Sequence, residues 1–345
     1  MSWNKQTLKE MSVAAILILF ILGIQGWNLL NDYKRHNFRV QTVLLVYPGM
    51  TVGDVEDHLI KGGYVSRPAS LKRAFRRMKV GRGLKPGRYE IHPRYTSIYV
   101  ARMLVRGWQS PAHLTISGTV RSKSALARLI GRQMMVDSAS VDKALRDASL
   151  LANLGFDTVN VFSMFIPDTY EIYWTASVND IFNVFHKSYL AFWTDERKAQ
   201  AAAQGLTPLE VSTMASIVNG ETHYDPEMPS IAGVYLNRLH SGMRLQADPT
   251  VAYCFGYKLN RIYSSHTKVR SHYNTYLYEG LPPGPICIPS KSALDAVLQP
   301  DKSGYMYFCA SPEFNGTHLF ASTFGEHRRN AVAFQRALDA RNIKK

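Results

Sequence analysis

Residues 207–226, "TPLEVSTMASIVNGETHYDP", open with agreeing helix signals and end on an acid where an apolar residue belongs. Thr207 can cap the helix, Pro208 suits its first position and Glu210 completes a capping box. At helical spacing Met214, Ile217, Val218 and Glu221 share one arc, so the buried face of an amphipathic helix carries a carboxylate near its C-terminal end. That end is the unfavourable pole for negative charge, and apolar neighbours also disfavour ionisation. Both effects would raise the pKa of Glu221, as a general acid needs near neutrality. Gly220 costs about 1 kcal/mol relative to Ala in a helix, but it lets a backbone or ligand come close. The plainer alternative is an ion pair of Glu221 with Arg238 or Arg244 that braces two helices.

Downstream, "SIAGVYLNRLHSGM" is expected to form a second helix, capped by Ser230 and ended by Gly242. In "RLQADPTVAYCFG", Gln246 and Asp248 precede a short helix opened by Pro249, where Asp248 can act simply as N-cap. "HYNTYLYEGLPPGPICIPS" gathers tyrosines and asparagine around a Gly-Leu-Pro-Pro-Gly turn. Such a loop can bind a sugar, with rings stacking on aromatics and amides bonding hydroxyls; it can equally be a proline-stiffened structural loop.

Upstream, the chain begins with an uncharged run, Ser12–Leu30, whose helical length of roughly 28 Å matches one hydrocarbon thickness. Trp27 lies near its far end, and no A-x-A-like site follows it, which favours an uncleaved anchor over a signal peptide. Lys5, Lys9 and the N-terminal amine favour a cytoplasmic tail at 1–11 and a span at 12–30; Lys34 and Arg35 beyond the run make that bias weak.

The net charge of +15 is localised. From Lys61 to Arg132 seventeen Lys/Arg face one acid, Glu90, so the rest of the chain is close to neutral. "VLLVYPGMTVGDVEDHLIKGGYV", "LKPGRYEIHP" and "SIYVARMLVRGW" read as strand–helix, turn–strand and helix, a small βααβ-like basic module. Its charge suits a solvated face, anionic wall polymer or lipid headgroups. Nucleic acid is disfavoured behind a membrane anchor. Next come a strand in "AHLTISGTV", helices in "SKSALARLIGRQM" and "SVDKALRDASLLANLG", an apolar stretch "VFSMFIPDTYEIYW", and one long helix in "NDIFNVFHKSYLAFWTDERKAQAAAQG". Cys254, Cys287 and Cys309 make neither a disulfide framework nor a zinc signature.

The set "MASIVNGET…IAGVYLNRL…GMRLQADPTVAY…YNTY…GLPPGPI" resembles the endolytic murein transglycosylase family, the YceG-like proteins, in order and spacing. "FIPDTYEIYW" is similar to that family's segment before the catalytic helix, and the basic module resembles its LysM-like part. The implied architecture is α+β: a single N-terminal transmembrane helix, a LysM-like module at 40–111, and a mixed α+β catalytic domain at 112–345 whose catalytic helix starts at about 207. The resemblance places the family's catalytic acid at Glu221. The two residues before it, Asn219-Gly220, replace an acid and a lysine of the family pattern, and Phe162-Ser163 replaces its Glu-Gly.

The resemblance further implies a lyase of the inner membrane, its catalytic domain periplasmic, that cleaves the bond between N-acetylmuramic acid and N-acetylglucosamine and leaves 1,6-anhydro ends. Gln246, Asp248, Tyr273 and Asn274 are assigned to substrate positioning. No metal or cofactor is expected. Peptidoglycan strands and the membrane are the expected partners, with peptidoglycan synthases alongside. The competing class is a membrane-anchored wall-binding scaffold without catalysis. Serine hydrolase and zinc peptidase chemistry have no G-x-S-x-G or H-E-x-x-H to rest on, and His223 has no ligand at helical spacing.

Overall fold

The computed structural model describes residues 5–341. The chain divides into two compact units, Met1–Ala112 with Glu171–Thr175, and His113–Tyr170 with Ala176–Lys345. Among the described residues helices and two-stranded sheets alternate, a mixed helix and strand architecture.

The first unit starts with α1 (Lys5–Tyr33), longer at both ends than the uncharged run. Within its apolar span, Leu8–Tyr33, an 18-residue window has a mean hydropathy of 2.2 and is not buried by protein. At helical rise the whole span covers roughly 39 Å, long enough to cross a bilayer. The helix ends in a socket. Asp32, fully buried, accepts from Arg73 Nη2 at 2.8 Å and from Ser70 Oγ at 2.8 Å, with Arg77 Nη1 at 3.5 Å. Arg77 and Arg102 stand over the ring of Tyr33.

There follow β1 (Thr42–Val46), α2 (Val52–Lys61), α3 (Pro68–Arg77), α4 (Val80–Gly83), β2 (Gly87–Ile91) and α5 (Ser97–Arg106). Thr51 and Asp54 form a capping box on α2, Pro68 opens α3, and Thr96 caps α5, which ends at Gly107 with φ +70°. β1 and β2 pair antiparallel from Thr42↔Ile91 to Val46↔Gly87. Strand alternation sends Leu44, Val46, Tyr89 and Ile91 inward against Leu59, Leu71, Phe75 and Leu104. Each such side chain contributes roughly 1.5–3 kcal/mol by leaving water. The expected βααβ order is thus present, with one further short helix before the second strand.

Next come β3 (Pro111–Ile116), α6 (Lys123–Gln133), α7 (Ser138–Ala144), α8 (Ala148–Ala152) and β4 (Asp168–Tyr173), with β3 paired to β4. The single long helix expected over 179–205 is two: α9 (Val178–Phe192) and α10 (Asp195–Ala203). Trp193 leaves the helical conformation to bury its indole, and Thr194 restarts the chain by accepting from Arg197 N at 3.3 Å.

The core of the second unit is built on α11 (Pro208–Glu221), α12 (Met228–His240), α13 (Asp248–Cys254) and α14 (Lys291–Leu298). β5 (Tyr307–Ala310), β6 (His318–Ala321) and α15 (Phe324–Ala340) complete the described chain. The α11 start matches its sequence signals: Thr207 and Glu210 form the capping box and Pro208 is the first residue. The amphipathic expectation fails, because every residue from Val211 to Asn219 is buried. The polar ones are absorbed locally: Ser212, Thr213 and Ser216 donate to carbonyls of Pro208, Leu209 and Thr213. Ser216 Oγ and Asn219 Oδ1 also accept from Ile286 N and Ser290 N, fastening the proline-rich loop along the helix.

Candidate active site

Glu221 is the last residue of α11, where the helix leaves the core. Its neighbours one turn back, Ile217 and Val218, are fully buried. Gly220 is required by packing: a Cβ there would stand 2.5 Å from Pro249 Cβ, so α13 rests directly on the helix backbone.

The partner of Glu221 is a phenol. Tyr235 Oη, on α12, donates to Glu221 Oε1 at 2.5 Å. Tyr235 is buried and its own proton is held more tightly than usual, first by desolvation and then by the nearby carboxylate. No ion pair forms with either expected arginine. Arg238 is buried, donating to the carbonyls of Met306 and Leu245, both at 2.6 Å, and Arg244 reaches the carbonyl of Tyr276. Arg238 still lends some positive potential to Glu221.

Burial dominates the protonation of Glu221, pushing its pKa up to about 7; the Tyr235 bond pulls it down, the negative charge of Asp248 pushes it up and Arg238 pulls it down. The side chain keeps an accessible edge while protein atoms crowd the rest of the carboxyl, so desolvation is strong without closing the path to solvent.

That edge faces two openings. One, of about 240 Å³, is lined by Arg121, Gly220, Glu221, Asp248, Pro249 and Tyr257 among others. The other, of about 250 Å³, is lined by Glu221, Tyr235, Arg238, Gln246, Asp248, Tyr276, Phe308 and His327. Glu221 and Asp248 line both.

Of the four residues expected to position substrate, two reach these openings. Gln246 stands exposed with φ +53°, a left-handed conformation rare outside glycine and held by its N–H bond to Thr275 O at 3.1 Å. Asp248 is the first residue of α13 and caps nothing, since the N-cap is Ala247 without a side-chain bond. Its carboxylate instead accepts from Tyr276 Oη at 2.7 Å. Thr275 stitches the two segments together, its carbonyl accepting from Gln246 N and its Oγ1 accepting from Ala247 N at 3.0 Å.

Asn274 and Tyr273 are elsewhere. Asn274 is fully buried, its amide donating to Thr267 O and Val269 O while its oxygen accepts from Tyr276 N. It shapes the loop, with both amide donors used and the side chain shut off from either opening. Tyr273 packs on Tyr253 with ring centroids 4.4 Å apart and lines neither opening. The helix start expected at Ser230 is also displaced: α12 begins at Met228, and Ser230 lies inside it, bonded to Asp301.

Sequence reasoning missed Tyr235, Tyr276 and His327. Tyr235 and Arg238 share the face of Ile231, so polar tips on a buried stripe were the available signal. Half-buried His327 brings a ring whose Nδ1 is buried without a partner and whose pKa is lowered by desolvation and then by Arg238. Among the described residues no three of His, Cys, Asp and Glu are grouped as metal ligands would be.

A sequence model of the YceG-like family matches residues 44–333, covering both units and every residue of the site. The chain belongs to the YceG-like family. This YceG-like chain is 34% identical over 163 residues to a Bacillus subtilis protein named endolytic murein transglycosylase, covering 47% of the chain and 42% of that relative. It is 34% identical over 136 residues to a Streptococcus pneumoniae protein of the same name, covering 38% of the chain and 24% of that relative. The chain thus spans less than half the length of these curated relatives. A crystal structure of a YceG-like protein from Listeria monocytogenes matches with a TM-score of 0.57 and 25% identity, over 84% of this chain and 98% of that one.

Proposed function

We propose that this protein is an endolytic peptidoglycan lytic transglycosylase with Glu221 as its single acid and base. One observation carries the reading: a carboxyl whose pKa is pushed up to about 7 meets an accessible groove in a family whose curated relatives bear that name. Near neutrality a substantial share of Glu221 is protonated and can give its proton to the glycosidic oxygen between N-acetylmuramic acid and N-acetylglucosamine. The bond from the anomeric carbon to that oxygen breaks. The sugar's own 6-hydroxyl attacks the anomeric carbon, and its proton goes to the Glu221 carboxylate, restoring the acid. The product is a 1,6-anhydro end.

An internal nucleophile removes the need for a carboxylate that activates water. Tyr235 suits both halves of such a cycle, since its bond fixes the carboxyl while the outer edge transfers protons. Gln246, Asp248 and Tyr276 would position the sugars. Asp225 lines neither opening and accepts from Ser292.

In the same proposal α1 is a single-pass anchor with the N-terminus in the cytoplasm. The two units then work in the periplasm at the inner membrane, and the basic βααβ module is a LysM-like element that holds wall polymer.

Mass spectrometry of a peptidoglycan digest tests the reaction. Ends lighter by one water than reducing ends are expected. Reducing ends would make the protein a hydrolase, with Asp248 as the second carboxylate, and no cleavage would make it a wall-binding scaffold.

A further inference from the structure

A third cleft, of about 440 Å³, adjoins the site. It shares Arg121 and Tyr257 with the smaller opening beside Glu221, so those two side chains stand between the cleft and the site. Lys123 and Arg146 line it together with Phe162 and Tyr253.

The cations are arranged differently from those of a solvated surface. Arg121 lays its guanidinium over the ring of Tyr257 at 4.6 Å, and that ring is fixed by its hydroxyl donating to Ile286 O at 2.8 Å. Lys123, the first residue of α6, is partly buried and donates to Thr158 O at 2.5 Å. Burial lowers its pKa and the charge of Arg146 adds to the effect, while the carboxylates of Asp142 and Asp157 offset part of it. Of these three cations only Arg146 has an ion-pair partner among the described residues, Asp142 at 2.8 Å. The apolar floor of Phe162 and Tyr253, with Arg121 and Lys123 held outside any ion pair, suits a ligand with a short aliphatic body and a carboxylate.

We infer that this cleft is a subsite for the carboxylates of the peptide stems carried by the glycan strand, which makes the enzyme prefer stem-bearing over bare strands. The inference rests on the reaction proposed above and names a part of its substrate. In an intact strand the lactyl carboxyl is tied up as an amide and the amino-sugar backbone is neutral, so the stems supply the negative charge; an amidase leaves instead one lactyl carboxylate per muramic acid, without the stem's more distant carboxylates. A stem leaves the muramic acid at the lactyl group, beside the bond to be cut, which places it one wall away from Glu221. The phosphates of a lipid-linked strand end have the same charge and are the rival source.

The test uses the full chain in detergent. Strands with intact stems and strands stripped by an amidase are compared by kcat/KM for wild type, Lys123→Met and Arg121→Gln. Wild type is expected to prefer stem-bearing strands roughly tenfold, through KM, and the variants to lose most of that preference. Calorimetry with a soluble stem tetrapeptide reads the cleft without cleavage, and the same substitutions should weaken binding about tenfold. Equal cleavage of both strand types by wild type overturns the inference, as does a preference or tetrapeptide affinity that survives both substitutions. Inhibition by inorganic diphosphate but not by tetrapeptide also overturns it, in favour of a phosphate site. If wild type cuts neither strand, the proposed reaction fails, and the tetrapeptide titration still decides the cleft.

Discussion

Tyr235 Oη and Glu221 Oε1 meet at 2.5 Å, the end of α11 against the middle of α12, while Asp248 approaches the same carboxyl from the head of α13. The two neighbours act in opposite senses. The phenol stabilises the carboxylate, and the second carboxylate opposes it.

Substituting each neighbour should therefore move the pH profile in opposite directions. Wild-type cleavage is expected to fall above about pH 7 as Glu221 loses its proton. In Tyr235→Phe the alkaline limb should move up, with a roughly tenfold lower maximum because the carboxyl is no longer held in place. In Asp248→Asn the limb should move down. Rates of anhydro-end formation from pH 5 to 9 check both, and limbs that stay fixed would disprove this account of the Glu221 proton.

Glu221→Gln should cut activity by about 10²–10⁴-fold while the amide oxygen still accepts from Tyr235. The same variant should change how stability depends on pH. The folded pKa lies above its ordinary value of 4.5, so the native state keeps a proton that the unfolded chain has released. Wild-type stability is then fully present below about pH 4.5 and declines as pH rises through about 7, by at most about 3 kcal/mol. The accessible edge of the side chain makes that figure an upper bound. Urea unfolding across this range should show the decline in wild type and a flatter curve in the variant.

Gly220→Ala should destabilise despite the better helix propensity of Ala. The propensity gain is about 1 kcal/mol, whereas a Cβ 2.5 Å from Pro249 forces α13 to shift, at about 1–3 kcal/mol. Because Asp248 precedes Pro249, activity should fall more than stability does. Thermal unfolding alongside kcat/KM separates the two losses.

Asp32→Ala should destabilise the first unit by about 3 kcal/mol, since it strands Arg73 and the Ser70 hydroxyl in a buried socket. Asp32→Asn, which can still accept from Ser70, should be milder. Denaturant titration in detergent, followed by hydrogen exchange at α3, would show it.

Local chemistry was the legible part of the sequence. The α11 capping box and the β1–β2 turns follow from residues close to one another in the chain, whereas the raised pKa of Glu221, expected from its own helix, is set by burial and by Asp248 of another helix. What was lost depends on contacts over long separations. Periodicity cannot foresee that a helix rich in Ser and Thr is buried all round, since these side chains satisfy themselves on their own backbone. A tryptophan that must reach the core breaks a run that reads as one helix. In the tyrosine-rich loop the residue type was informative, but Asn274 turned inward and Tyr276, two positions on, took the groove. Neighbours with opposite orientations in an irregular loop are not separable by composition.

The buried Asp32 makes α1 a mast rather than a leash. A flexible tether would let the βα unit tumble freely, whereas this helix cannot turn about its axis without carrying α3 with it. Under the proposed anchoring, a protein that grips α1 within the lipid would thereby hold a handle on α3 and the strands packed behind it.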